Sequence, residues 1–471
     1  MEPNTVPAGK QLLRKIDWNL LPVMVVSYML QFLDKQTLNQ ASIMGIIEDL
    51  NLSGSQYSWC GSIFYLGYLF FSYPGSMLMV RLPIGKFIAS CFLIWGVILA
   101  CHAATHNFAG IMATRFLLGA AEAAVSPGFS LITGMWYLRE EQPLRHGLWF
   151  AGNSVATAFG GLIAYGVAHI HNSIAAWKWL FIIYGLITGV WAVVLGFFLP
   201  DAPTSARFLK NEERTAAVER VRVNQTGVKN NKIQWDQVWE ALSDYKIWIL
   251  FFFQVANCIP NGGLTTFTSL VMAGFGFTTL EVYLLSMPMG AVHGIFSIGS
   301  TYIASRFPNN SRCIIAGCCT FVSLIGCILV YAVDNQGAQL FGIFIFVAFA
   351  AGLPLSMSLV SSNVAGFTKK ATVSSMMFIA YCVGNIIGPF LFFEHEAPKY
   401  QTGFLSIMVC FAVAVLLIAS LGLSWRWENA RRDRVYGPPA AVEAHPQTEK
   451  GETAVIPDRT DHENHNFRYV Y

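Results

Sequence analysis

Residues 111–127 of the chain read IMATRFLLGAAEAAVSP. This stretch is apolar enough to lie inside a lipid bilayer, yet it contains Arg115 and Glu122. One charged side chain at the centre of a membrane helix costs about 2.5–3.5 kcal/mol, so two of them need a reason. Seven residues apart, they face nearly the same way but lie about 10 Å apart along the helix axis. We expect each to find its partner elsewhere, either as a structural charge tied to a neighbouring helix or as part of a path for a solute and protons.

The composition is that of a membrane protein. Of 471 residues, 54% are apolar and only 12% are charged, whereas soluble proteins have about 25% charged residues. Apolar runs of about 20 residues recur along the chain and are typical of membrane-spanning helices. The first twenty residues lack the apolar core of a cleavable signal peptide, so we expect the first run to remain as a helix. The ten cysteines show neither the spacing of a metal site nor that of a disulfide framework.

Hydropathy predicts an all-α membrane protein with twelve transmembrane helices in two six-helix halves. The predicted spans of the first half are Leu20–Leu38, Trp59–Met79, Phe87–Ala104, Phe108–Gly128, Gly147–Ala168 and Trp179–Leu199. Those of the second half are Ile247–Leu270, Val282–Ile303, Ile314–Ala332, Leu340–Ser361, Thr372–Phe393 and Thr402–Leu423.

The remaining segments complete the predicted organisation. Residues 1–19 form an N-terminal segment, 20–199 the first half, 200–246 a central loop, 247–424 the second half and 425–471 a tail. The central loop combines helical periodicity with charges of both signs, which predicts a surface helix between the halves. The tail is polar and contains prolines, which predicts disorder.

Basic residues fall on alternate loops of this topology. They precede the first span, occur throughout the central loop and follow the twelfth span. The connections that follow even-numbered spans contain more basic residues than those that follow odd-numbered spans. The positive-inside rule therefore predicts that both termini are cytoplasmic. The sequence Arg81-Leu82-Pro83 recurs as Arg306-Phe307-Pro308 at the equivalent place in the second half, which indicates an internal repeat. Two related halves with a site near the membrane midplane are typical of major facilitator transporters. We predict gating loops at Arg81, Lys86, Arg306 and Arg312.

Several patterns that carry enzyme chemistry are missing from the sequence. It contains no G-x-x-x-x-G-K-[ST] phosphate loop, no metal-ligand spacing and no nucleophile signature. We therefore predict that the protein is not an enzyme. The expected partners are a small solute, protons and the bilayer, without a cofactor, a metal or nucleic acid, and the expected state is a monomer.

The charged residues of the first and fourth spans are the candidates for transport chemistry. Lys35 lies about 20 Å along the first helix, where it either snorkels outward or, with Arg115, provides cationic contacts for an anionic solute. Glu122 lies among alanines and is the best candidate for a proton carrier, with Asp34 as a second carboxyl group for proton coupling.

Single polar residues on other spans have two possible uses. Asn257 and Asn261 are candidates for solute binding because Asn261-Gly262-Gly263 can open the helix backbone. A single amide in a helix bundle is more commonly an interhelical clasp. The same alternatives apply to the remaining polar points, which are Asn153, His293, Asn363 and Asn385.

Several longer motifs carry a family resemblance over about residues 14 to 435. They include LDKQTLNQA from Leu33, RFLLGAAEAAVSPG from Arg115, WKWLFIIYG from Trp177, SNVAGFTKKAT from Ser362 and YCVGNIIGPF from Tyr381. With these motifs the chain resembles the fungal allantoate permease branch of the anion:cation symporters, within the major facilitator superfamily.

The resemblance implies proton-coupled uptake of small organic anions at the plasma membrane. Ureides, carboxylates, vitamins such as nicotinate or pantothenate, and small peptides are the implied substrates. It also implies that Lys35 occupies the cationic position of the first span, and that Arg115 and Glu122 occupy the substrate and coupling positions of the fourth. One position departs from the pattern: Met79 stands near the place of an acidic residue at the end of the second span, which puts a gating salt bridge there in doubt.

Our prediction is therefore secondary active, proton-coupled uptake of a small organic anion by alternating access. The alternative is an exporter of a metabolite or toxin driven by proton antiport. Such antiporters usually have a Gly-Pro-rich run in the fifth span, and GNSVATAFGGLIAYG, from Gly152, lacks the proline. A transporter-like nutrient receptor is a further alternative, which the short tail disfavours.

Overall fold

The computed structural model describes residues 5–138, 141–170, 172–222, 234–307, 311–437 and 460–471, and within these ranges the regular elements are helices. The first half comprises α1 (Thr5–Ser42), α2 (Ile46–Asp49), α3 (Gln56–Arg81), α4 (Ile84–Cys101), α5 (Phe108–Glu122), α6 (Val125–Trp136), α7 (Gln142–Phe150), α8 (Gly152–Ala168) and α9 (Ala176–Phe198). The central segment contains α10 (Asn211–Arg222) and α11 (Trp235–Ser243). The second half comprises α12 (Tyr245–Gly274), α13 (Thr279–Arg306), α14 (Arg312–Ala332), α15 (Gln336–Phe346), α16 (Gly352–Asn363), α17 (Phe367–Ile387) and α18 (Gln401–Tyr436).

The predicted membrane fold is confirmed. Eleven segments in the described ranges are long and apolar enough to cross a membrane. The second predicted span is α3, a further helix of 26 residues that packs between α5 and α17. The helices extend a few residues beyond most predicted spans because hydropathy marks only the part that lies in hydrocarbon.

Two of the predicted spans are interrupted helices. The fourth consists of α5 and α6, which are separated at Ala123 and Ala124. Pro127 has no N–H to donate to the carbonyl of Ala123, so the hydrogen-bond ladder is broken there. The tenth consists of α15 and α16, which are joined by a 3₁₀ turn at Val347–Ala351. The first break leaves Glu122 as the last residue of α5.

The most extensive contacts between the halves are those of α8 with α13, α3 with α17 and α1 with α12. The α8–α13 contact is close enough that a Cβ atom at Gly161 or Gly290 would overlap the backbone of the opposite helix. Glycine is therefore required at these positions because only it allows two helix backbones to approach so closely.

We call the end of the bundle that carries both chain termini and the central segment the terminal end, and the opposite end the far end. Hydrogen bonds between the halves close the far end. Tyr57 Oη donates to the carbonyl oxygen of Thr266 over 2.7 Å, and Ser58 Oγ donates to that of Pro389 over 2.9 Å. The N–H of Ser269 donates to Asn39 Oδ1 over 2.8 Å. These bonds keep the first and second halves together at the far end in this conformation.

The central segment contributes one short helix to each half. In α10, Glu213 forms an ion pair with Lys15 of α1, with 2.6 Å between Nζ and Oε2. In α11, Glu240 forms an ion pair with Lys369 of α17, with 2.9 Å between Nζ and Oε1. Residues 223–233 of the predicted bridging helix lie outside the described residues. Helix α10 lies within the stretch that was predicted as a surface helix, and the bridge between the halves stays a prediction.

The prediction of a disordered tail is wrong for the described residues of the tail. Helix α18 continues to Tyr436, and residues 460–471 pack against the terminal end of the second half. Asp461 Oδ1 lies 2.6 Å from Lys369 Nζ, and Asn363 exchanges two hydrogen bonds of 2.7 Å with the backbone of Val470. The polar composition led to a wrong prediction because the Asp461 carboxyl group and the backbone of Val470 find partners on the helix ends. Residues 438–459 lie outside the described residues.

Candidate functional site

The central feature of the site is an ion pair between α1 and α5. Lys35 Nζ lies 3.9 Å from Glu122 Oε2, and the two side chains are 11% and 0% exposed. As the seven-residue spacing predicts, Glu122 finds its cation on another helix and not at Arg115. A separation of 3.9 Å exceeds the 2.7–2.9 Å of a direct charge-assisted hydrogen bond. The pair is therefore buried but loosely joined.

Aromatic rings of α3 form a wall beside this pair. Lys35 Nζ lies 5.6 Å from the ring centre of Phe64 and 5.4 Å from that of Tyr68. The guanidinium carbon of Arg115 lies 5.6 Å from the centre of the same Phe64 ring. A cation at this distance from an aromatic face is attracted by the ring quadrupole. The Phe64 ring thus contacts both Lys35 and Arg115, the two cationic residues that the sequence predicted for the site.

A glycine contact between α3 and α5 sets the position of this wall. A Cβ atom at Gly119 would overlap the carbonyl oxygen of Phe64, and one at Gly67 would overlap that of Phe116. The two backbones therefore touch at this level of the bundle. Because the helices are this close, Arg115 Nε donates a hydrogen bond to the carbonyl oxygen of Cys60 in α3 over 3.1 Å.

Several polar atoms of the site are buried without a hydrogen-bond partner in the described part of the chain. They include Arg115 Nη1, both carboxyl oxygens of Glu122 and both of Asp34. An uncompensated polar group in an apolar interior costs free energy unless a ligand, a proton or water reaches it. The ion pair therefore has one donor, Arg115 Nη1, and one carboxyl group, that of Glu122, beside it for further interactions.

Asp34 and Lys35 diverge from α1, as adjacent helical residues do. The carboxyl group of Asp34 lies beside the indole of Trp95 in α4 and interacts electrostatically with Tyr184 of α9. It is fully buried within the first half. Lys35 instead lies on the side of α3 and close to Cys382 of α17. Of the two predicted carboxyl groups, Glu122 is the one paired with Lys35.

Tyrosines that were not predicted from the sequence surround the site. The hydroxyls of Tyr28 and Tyr68 lie 3.2 and 3.1 Å from Ser126 Oγ, at the start of α6. Tyr68 also stacks on Phe378 of the second half, with 5.4 Å between ring centres. Tyr65 contacts Tyr381 of the second half edge to face, with 5.9 Å between ring centres. Nothing in the sequence distinguished them from tyrosines that only pack in the bundle.

The two asparagines predicted to bind solute are engaged as clasps within the second half. Asn257 Nδ2 donates to the carbonyl oxygen of Phe349 in the 3₁₀ turn over 3.3 Å. Asn261 Nδ2 donates to Asn385 Oδ1 in α17 over 2.7 Å. In this conformation the clasp accounts for the amide of Asn261, whereas the buried Oδ1 of Asn257 has no hydrogen-bond partner in the described residues. A part for either residue in solute binding stays a prediction. His293 similarly lies 2.7 Å from Ser154 Oγ and joins α13 to α8.

Of the four residues of the predicted gating loops, Arg306 and Arg312 contact helices of their own half and Lys86 contacts the segment after α9. The backbone N–H of Lys86 donates to Asp201 Oδ1 over 3.2 Å, and Arg81 is exposed at the end of α3. Arg306 donates to the hydroxyl of Tyr302 over 2.9 Å, and Arg312 donates to the carbonyl oxygen of Ser358 over 3.0 Å. Met79 is buried. Their part in gating stays a prediction.

Comparison with known proteins agrees with this architecture. The Major Facilitator Superfamily profile matches residues 24–389. The chain belongs to the major facilitator superfamily. It is 36% identical to the allantoate permease of Saccharomyces cerevisiae across 99% of this chain and 87% of that protein. It is 39% identical to an uncharacterized transporter of Schizosaccharomyces pombe across 98% of this chain and 89% of that protein.

A solved structure supports the fold assignment. The proton:xylose symporter superimposes with a TM-score of 0.69 over 87% of this chain and 95% of that chain, at 13% sequence identity. This likeness concerns the fold alone. The resemblance to the allantoate permease branch is confirmed by the sequence relatives. The protein is a multi-pass membrane transporter of this superfamily and not an enzyme.

Proposed function

We propose that this major facilitator protein takes up a small organic anion together with protons, by alternating access, at the plasma membrane and with both termini in the cytoplasm. The observation that carries the proposal is the loose, buried ion pair between Lys35 and Glu122. A cation that an anion can capture and a carboxyl group that a proton can neutralise lie side by side here. Such a pair links the binding of the two species.

The coupling follows from charge balance at the pair. A carboxylate that binds Lys35 at hydrogen-bond distance replaces the 3.9 Å contact with Glu122. Glu122 then has lost its cation in a buried environment, where an isolated negative charge is costly. A proton on Glu122 removes that charge, so anion and proton bind best together. Release of the anion and of the proton from Glu122 restores the original pair.

The surroundings of the pair favour a small solute with a carboxylate. Arg115 Nη1 provides a buried donor without a partner in the described residues, and the guanidinium group suits a carboxylate. The rings of Phe64 and Tyr68 offer a flat wall for an apolar or amide-bearing body. The relative named allantoate permease makes allantoate, a ureide acid, the first candidate to test. Other carboxylates, vitamin acids and small peptides follow.

Alternating access has a geometric basis in the contacts between the halves. The hydrogen bonds at the far end would break for that end to open. The glycine contacts between α8 and α13 would persist as the surface on which the halves rock. The site at Lys35 would then be exposed alternately to each side of the membrane.

Uptake by purified protein in proteoliposomes tests the proposal. Labelled allantoate and a panel of other small acids are supplied outside, with an inward proton gradient and with or without an uncoupler. We expect accumulation of at least one acid that the uncoupler abolishes. Accumulation that is indifferent to the uncoupler would contradict proton coupling. Loss of preloaded acid driven by the inward proton gradient would favour the exporter alternative.

The variant Glu122→Gln separates coupling from binding. We expect it to lose concentrative uptake while it retains exchange of labelled for unlabelled acid, because it holds the solute but no longer exchanges a proton. Glu48→Gln, at an exposed position on α2, is the matched control and should behave like the unmodified protein. Normal accumulation by Glu122→Gln would remove this residue from the coupling step.

A further inference from the structure

Helix α11 has two faces of opposite character. Trp235, Trp239 and Leu242 lie on one face, and the two tryptophans are 67% and 68% exposed. On the opposite face, Gln237 and Ala241 are buried against the second half. Exposed tryptophans on a short amphipathic helix are unusual for a surface that faces water. They are typical of a helix at a membrane–water interface.

The exposed apolar face of α11 is continuous with a surface that lies in lipid. Tyr245, Trp248 and Phe252 follow it along one side of α12 and are also exposed. Helix α12 is one of the apolar segments long enough to cross the membrane, so its exposed side faces lipid. Trp248 Nε1 donates to the carbonyl oxygen of Leu242 over 2.8 Å, which fixes the two helices relative to each other. The face of α11 therefore begins where the lipid-facing side of α12 ends.

The buried face of α11 holds the start of α17. Gln237 Oε1 accepts hydrogen bonds from the backbone N–H groups of Thr368 and Lys369 over 3.0 and 3.1 Å. The first N–H groups of a helix have no partner within the helix, so Gln237 acts as their cap. Glu240 adds the 2.9 Å ion pair with Lys369. Helix α17 is one of the helices that meet the first half, through α3.

We propose that α11 is an interfacial helix that inserts Trp235, Trp239 and Leu242 into the headgroup region of the bilayer at the terminal end, and that the lipid surface thereby positions the start of α17. The partner is lipid, because the aromatic strip runs without interruption onto the transmembrane surface of α12. An amphipathic helix with large apolar side chains on one face lies in the plane of the interface. Helix α11 and the start of α17 then move together with respect to the membrane.

Spin labelling in vesicles of phosphatidylcholine and phosphatidylserine tests the location. Nitroxide labels are attached to Trp235→Cys and Trp239→Cys, in a background where the exposed Cys101 and Cys318 are serine. We expect collision with oxygen to exceed collision with a water-soluble nickel chelate at both positions. Asp236→Cys, on an exposed flank of α11, is the matched control and should show the opposite ratio.

Two results would overturn the location. One is a collision ratio at positions 235 and 239 equal to that at the control position. The other is protection from the nickel chelate that disappears when the protein is diluted in lipid, because that result would assign the face to a second copy of the chain.

Transport measurements test the link to α17. We expect the double variant Trp235→Ser, Trp239→Ser to transport several-fold more slowly in vesicles, with unchanged thermal stability in detergent. Trp235→Phe with Trp239→Phe should restore the rate, because an aromatic ring in lipid is what the proposal requires. An unchanged rate in the serine variant would show that lipid contact does not position α17. These outcomes are independent of which solute is transported and of proton coupling.

Discussion

The position of the aromatic wall beside Lys35 and Glu122 depends on glycine contacts between α3 and α5. Gly119 lets the backbone of α5 touch that of α3 at Phe64, so the aromatic wall reaches both cations. Helical periodicity alone predicted that the Glu122 side chain would find its partner on another helix. It did not predict which cation would pair with it, because that depends on the distance between helices. The sequence therefore identified the charged residues of the site but not their pairing.

Replacing Gly119 with alanine tests this dependence. The added methyl group would overlap the carbonyl oxygen of Phe64, and overpacking of this kind costs about 1–3 kcal/mol. We expect a lower thermal unfolding temperature, together with weaker solute binding. Gly134→Ala is the matched control, since nothing lies within 4 Å of a Cβ atom there. Equal stability of the two variants would show that the helices do not need this close contact.

Lys35 is expected to require its position as well as its charge. In Lys35→Met, Glu122 and any bound anion both lose their cation, so we expect solute binding to fall below detection. In Lys35→Arg the charge remains but the larger planar group meets the rings of Phe64 and Tyr68, and we expect partial binding. Solute binding measured by calorimetry in detergent separates these cases. Binding by Lys35→Met at the level of the unmodified protein would exclude Lys35 from the solute site.

At the scale of the elements, the break between α5 and α6 is a consequence of Pro127. An alanine at this position restores the N–H that the carbonyl of Ala123 lacks. We expect Pro127→Ala to join the two helices, to move Ser126 away from Tyr28 and Tyr68, and to slow transport without loss of stability. Transport rate and thermal stability measured side by side check this. A stable variant with an unchanged rate would show that the break has no part in transport.

The docked tail makes a second prediction at this scale. Asp461 and Lys369 are 2% and 1% exposed and lie 2.6 Å apart. Breaking a buried ion pair costs about 3–5 kcal/mol, but Lys369 keeps Glu240, so we expect a smaller loss in Asp461→Asn. Asp334→Asn breaks an exposed pair with Lys399, where the expected loss is about 0–1 kcal/mol. Thermal unfolding should rank the two variants in this order, and the reverse ranking would contradict the docking of the tail.

Asp244, which caps α12 at the terminal end, adds a pH dependence. Burial raises the pKa of this carboxyl group, but the hydrogen bond from His462 and the charge of Lys246 outweigh it, so its pKa is lowered from the ordinary value of 3.8. A carboxyl group whose pKa is lower in the folded than in the unfolded protein stabilises the folded state at pH values above its unfolded-state pKa. This stabilisation is lost as the pH falls through the folded-state pKa. We expect the unfolding temperature of Asp244→Asn to approach that of the unmodified protein only below about pH 4. A constant difference between the two proteins down to pH 3 would contradict this.

At the scale of the whole molecule, the two six-helix halves were predictable because hydropathy reports the part of each helix that lies in lipid. The predicted span Ile314–Ala332, for example, corresponds to α14 (Arg312–Ala332). The docked tail was not predictable, because its partners on α16, α17 and α18 are distant in the chain and only the fold brings them together. The hydrogen bonds of Asn257 and Asn261 were anticipated as one of two alternatives, but their partners, Phe349 and Asn385, could be identified only from the structure.

Transport by the proposed mechanism depends on the linked binding of an anion and a proton at Lys35 and Glu122. The most direct test is to add a transported acid to the purified protein in weakly buffered detergent solution and to record the pH. We expect proton uptake as the anion binds to the unmodified protein, and anion binding without proton uptake in Glu122→Gln. Binding of the anion to the unmodified protein with no change in pH would contradict the account.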